Sequence, residues 1–83
     1  MRLTVDGRAI ERHGNTLRLL VPGDRYITPP LEVTKAELAL TLSDHPLWLP
    51  EVRIDCRFDH VTIYLRAQPW LVVPKDKWVE LCR

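Results

Sequence analysis

Glycine is scarce in this chain of 83 residues, and the three present, Gly7, Gly14 and Gly23, stand far apart. A phosphate-cradling loop needs clustered glycines, so that class of nucleotide site is excluded. Cysteine is scarcer still. Cys56 and Cys82 cannot build a disulfide framework, and without an export signal two reduced thiols are expected. No apolar run approaches the roughly 20 residues that cross a bilayer. The opening stretch MRLTVDGRAIERHG scatters charge and lacks the apolar block of a signal peptide, so residence in the cytoplasm, away from any membrane, is the expectation. Charge of one sign is missing too: 12 Lys and Arg against 11 Asp and Glu leave +1. Such a balance supplies no long-range field toward nucleic acid.

Catalytic and metal signatures are equally thin. His13, His45, His60, Cys56 and Cys82 are the only soft ligands, and none forms the close pairs that zinc sites display. No metal and no cofactor is expected. Ser43, Asp44 and His45 are the residue types of a hydrolytic triad, but side chains adjacent along a chain do not adopt relay geometry. They read as the end of a helix before Pro46. Asp55 and Asp59 each have arginine nearby, which suits neutralised surface carboxylates better than an acid–base pair with a raised pKa. An enzyme is therefore not expected.

What is present is alternation. In residues 1–21, Asp6-Gly7 suits a two-residue hairpin turn, because both central positions need positive φ. That turn pairs Val5 with Arg8 and Leu3 with Ile10. A second turn at Gly14-Asn15 pairs His13 with Thr16 and Ile10 with Leu19. Leu3, Val5, Ile10, Leu17, Leu19 and Val21 then share one face, and Thr4, Glu11, His13, Thr16 and Arg18 the other. The turn-rich stretch PGDRYITPP follows as a connection.

In VTKAELALTLSDHP, Thr34 and Glu37 form a capping box, and Val33 can staple onto Leu38. The leucines at 38, 40 and 42 alternate like a strand, but Ala, Glu and Leu favour helix and Pro46 stops it. A short helix near residues 35–44 is expected, with an edge strand as the alternative.

Residues 54–67, IDCRFDHVTIYLRA, read as a hairpin. With Asp59-His60 as its turn, Phe58 pairs with Val61, Cys56 with Ile63 and Ile54 with Leu65, all facing inward; a longer loop is the alternative, since Asp-His is a poorer turn dipeptide than Asp-Gly. WLVV suggests a further short buried strand. PKDKWVELCR suggests a last helix, with Asp76 near its positive end and Trp78 and Leu81 turned to the core. The expected whole is a single α+β domain over residues 1–83. It has a mainly antiparallel sheet of five or six strands, an N-terminal meander and a central hairpin, and one or two short helices.

The candidate binding residues follow from this pattern. Arg53, Arg57 and Arg66 surround Tyr64 on the outward side of the hairpin, and Trp48 stands between Pro46 and Pro50. Trp, Tyr and Arg are the residue types that dominate protein interfaces. Trp70 and Trp78 suit the core instead. The expected function is a small non-enzymatic interaction module that binds a protein partner or itself, as a homodimer. The alternative is a single-stranded nucleic-acid binder using the Arg/Tyr sheet face, although one aromatic is fewer than a stacking platform normally carries.

Overall fold

The computed structural model describes all 83 residues. The N-terminal meander has the expected register. Strands β1 (Arg2–Val5), β2 (Arg8–His13) and β3 (Thr16–Val21) pair antiparallel, with Val5 opposite Arg8, Ile10 opposite Leu3 and Leu19, and His13 opposite Thr16. Asp6 and Gly7 both take positive φ (51° and 77°), as that hairpin turn requires.

The connection after β3 is more ordered than its turn-rich composition suggests. It holds two short strands, β4 (Arg25–Tyr26) and β5 (Leu31–Glu32), which pair with opposite ends of the free edge of β3.

Helix α1 (Lys35–Leu40) starts at the Thr34 capping box, with both reciprocal hydrogen bonds made, and tightens into a 3₁₀ turn over Thr41–Ser43. The helical reading therefore holds over the strand alternative. Leu38 is fully buried, Leu42 half-buried and Leu40 exposed, because only i and i+4 share a helical face.

A second antiparallel sheet follows: β6 (Leu47–Leu49), β7 (Val52–Arg57), β8 (His60–Leu65) and β9 (Gln68–Pro74), in that spatial order. Helix α2 (Lys75–Cys82) closes the chain. The fold class is α+β as expected, but the strands number nine in two sheets instead of five or six in one. The physical reason is coverage. Two short helices cannot shelter one face of a sheet that wide, whereas two sheets can shelter each other. Leu3, Ile10, Leu17 and Leu19 from the first sheet share a single core with Val52, Ile54, Val61, Ile63 and Val73 from the second, completed by Leu38, Trp78 and Leu81.

The few polar groups inside this core are paired. Trp78 Nε1 donates to Thr41 Oγ1 at 2.7 Å, and the Thr41 hydroxyl donates to the Leu38 carbonyl at 2.6 Å. These bonds tie the last helix to the first. Arg12 reaches across from β2 and donates to the carbonyls of Leu81 and Arg83, so a cation terminates α2 where the helix dipole favours one.

The central hairpin corrects the sequence reading in one respect. Its turn is Phe58-Asp59, not Asp59-His60, so Arg57 pairs with His60, Cys56 with Val61, Ile54 with Ile63 and Val52 with Leu65. The partners move by two residues. Because side chains alternate with period two, Ile54, Cys56, Val61, Ile63 and Leu65 still face inward. Phe58 does not. It occupies the turn with φ of 48° and is 93% exposed, where the sequence reading had placed it in the core.

Candidate functional site

The outward face of the second sheet carries the residues that the sequence singled out. Trp48, Arg53 and Tyr64 lie opposite one another on β6, β7 and β8. The Arg53 guanidinium sits between the two rings, 4.1 Å from the centroid of Tyr64 and 5.3 Å from that of Trp48. Both distances are within cation–π range, at roughly 0.5–1 kcal/mol for an exposed pair. Arg53 Nε lies 3.1 Å from Asp55 Oδ2, an ion-pair separation without hydrogen-bond alignment, and Asp55 Oδ1 has no protein partner.

Trp48 is 70% exposed. Its strand is three residues long and bounded by Pro46 and Pro50. Prolines beside so short an edge strand discourage backbone pairing with another chain. The side chains, not the strand edge, are what this region offers. A shallow groove of about 230 Å³ runs beside Trp48, with Glu51, Tyr64 and Arg66 along it.

Of the other two candidate arginines, Arg66 lines the same groove as Tyr64, whereas Arg57 does not join them. Arg57 pairs with His60 at the far end of the hairpin, two cross-strand rows away, because the turn begins one residue earlier than expected. Arg66 has left the strand altogether. It occupies the β8–β9 turn with φ of 51° and stands 3.6 Å from Glu51. The corrected register also puts Arg53, not Asp55, opposite Tyr64, and Asp55 opposite Thr62.

Trp78 is fully buried, as expected for the core. Trp70 is only half-buried. It is the extra residue of a bulge between β8 and β9, where pairing passes from Ile63–Leu71 to Tyr64–Pro69. Its carbonyl accepts from Arg8 at 2.7 Å.

Ser43, Asp44 and His45 are all exposed, and no hydrogen bond joins their side chains. Both cysteines are free thiols. Burial pushes the Cys82 thiol up to about 11, away from the thiolate form a nucleophile needs. No three His, Cys, Asp or Glu side chains converge on one point.

A second polar cluster escaped the sequence reading. On the outward face of the first sheet, Glu11 is only 6% exposed. Arg2 donates to its carboxylate through Nε at 2.9 Å, the Tyr26 hydroxyl donates at 3.0 Å, and His13 Nε2 lies 3.1 Å away. An ionised carboxylate can only accept, so His13 Nε2 carries the hydrogen in that contact. Hydrogen bonds from Arg2 first, then His13, then Tyr26, outweigh partial desolvation and hold the Glu11 carboxyl down at about 2. Arg18 stacks on Tyr26 with its guanidinium carbon 4.2 Å from the ring centroid. The only sequence signal was the cross-strand row Arg2–Glu11–Arg18. Tyr26 lay in a segment read as a loop, so its part was invisible.

Comparison with protein-family models, with curated proteins and with solved structures gives no match to this chain.

Proposed function

We propose that this chain is a non-enzymatic interaction module that docks onto a protein partner through the outward face of its second sheet. One observation carries the reading: Trp48, the most exposed tryptophan, projects from a proline-bounded strand beside a guanidinium already stacked between two rings. A Trp held this stiffly loses little conformational freedom on binding, and its exposed ring is apolar area available for burial. Arg53 and Arg66 supply the polar rim that interface anchors commonly have.

Single-stranded nucleic acid has less support as the occupant. The face of Tyr64 that would receive a base is covered by Arg53, and Asp55 beside it repels phosphate. Affinity purification from the native host, comparing the natural chain with Trp48→Ala, tests the proposal. A protein that is retained by the natural chain and lost by the folded variant supports it. Retention independent of Trp48 refutes it, as does recovery of nucleic acid whose binding falls steeply with salt.

A further inference from the structure

The second sheet is one strand short at its hairpin end. β6 stops pairing at Leu47, opposite Ile54, while β7 runs on through Asp55, Cys56 and Arg57. Along an antiparallel strand the backbone groups alternate in direction. Arg57 and His60 flank a two-residue turn and so exchange hydrogen bonds. The N–H and carbonyl of Cys56 therefore point away from β8, toward the side that β6 has left. No strand pairs with Cys56 there, and no loop residue supplies its backbone with a hydrogen bond.

Asp44 and Pro46 precede β6 and so lie on its side of β7. With Asp55, Cys56 and Phe58 they line a depression of about 540 Å³, a size in the range of ligand clefts. Two side chains at this depression are unexplained by the chain itself. Asp55 Oδ1 is shut off from water without a donor, the only carboxylate oxygen in the molecule so placed. Phe58 holds φ of 48°, a conformation that costs an aromatic residue and suits glycine or asparagine, and its ring is 93% exposed.

Charge selects no occupant here. Arg57 and Lys75 stand in no ion pair, but neither does Asp44, and Asp59 beside Phe58 pairs only with His60. The free charges are of both signs. What the depression offers is a backbone donor and acceptor, an orphaned carboxylate oxygen and an aromatic ring.

We propose that an extended peptide segment of a partner protein docks here, in the place of the missing half of β6. Its backbone exchanges hydrogen bonds with Cys56, a donor side chain reaches Asp55, and an apolar side chain packs on Phe58. Backbone pairing at a sheet edge gives such a site its affinity, and the flanking side chains give it a sequence preference. The occupant is a bare segment and not a second copy of this chain. A strand already paired in a sheet brings a neighbour about 4.8 Å behind it, where Asp44 and Pro46 stand.

Panning a phage-displayed library of random linear peptides on the immobilised chain tests this. Synthetic copies of the enriched peptides should bind the natural chain and slow exchange of the Cys56 amide hydrogen. Cys56→Pro removes the outward N–H, which takes no part in the β7–β8 ladder, and should abolish binding. Asp55→Ala serves in its place if the proline variant misfolds, and should likewise weaken binding. Phe58→Gly relieves the turn and should melt no lower than the natural chain. Its peptide affinity should fall about tenfold or more, since burying a Phe side chain is worth over one decade of affinity. Peptides that bind either folded variant as well as the natural chain overturn the proposal, and so does a library that enriches none. Peptides lost only with Trp48→Ala would report the docking face described above, so they overturn this proposal and leave that reading standing.

Discussion

The outward faces of the two sheets have similar ingredients and opposite outcomes. Each carries arginines, one or two carboxylates and one or two aromatics in cross-strand rows. On the first sheet the aromatic is tethered. Tyr26 starts on edge strand β4 opposite Leu20, and its hydroxyl reaches Glu11 on β2, so the ring must cross the outward side of β3. Ala9 and Leu20, which point outward there, are nearly inaccessible to solvent. That face is closed by its own side chains. On the second sheet the aromatic is free. Trp48 contacts Arg53, but nothing anchors its far side, and Val72 on the same face is half exposed. What separates a closed face from an open one is whether the aromatic finds a buried acceptor.

This contrast can be broken by substitution. The largest effect is expected at Trp48. Trp48→Ala should remove about 2 kcal/mol or more of partner affinity, roughly 30-fold, while changing fold stability by about 0.5 kcal/mol or less. A titration of the isolated partner beside a thermal melt reads both. If the melting temperature falls with affinity, the second face is closed after all.

Glu11→Ala should do the reverse. It leaves the Tyr26 hydroxyl and the Arg2 guanidinium without their acceptor, at a cost of about 1–3 kcal/mol in urea unfolding, with partner affinity unchanged. Tyr26→Phe keeps the ring and loses one bond, so about 0.5–1.5 kcal/mol is expected, or some 4–8 °C of melting temperature per kcal/mol.

The same latch should also show in pH. The Glu11 carboxyl is depressed in the folded state from 4.5 to about 2. Its contribution is therefore fully present above pH 4.5 and is lost as pH falls toward 2. Melting temperature should drop across that window more in the natural chain than in Glu11→Gln. Equal drops in both would mean that Glu11 is not the group that latches the first face.

Much of the fold was legible because the signals were local. Asp6-Gly7 demanded a turn, Thr34 and Glu37 demanded a helix start, and each specified its register or boundary without help from distant residues. Phe58 was misread because alternation with period two cannot tell a register from one shifted by two residues. Both bury the same strand residues and differ only at the turn. The candidate face was legible in part. Trp48, Arg53, Tyr64 and Arg66 do line one groove, although Arg66 reaches it from the turn after β8, while Arg57 was displaced by that same shift. Glu11 looked like one more solvated charge, because its burial depends on a tyrosine 15 residues away.

By itself, then, the order of residues determined the local elements, the inward set of each strand and the pairing within the N-terminal meander, since turn chemistry and side-chain period act over a few positions. Only the tertiary structure decided that the strands divide into two sheets, that one outward face seals itself while the other stays open, and that a phenylalanine faces water at the uncovered end of β7. Those outcomes depend on which segments remote in the chain compete to cover the same apolar surface, and no local rule encodes that competition.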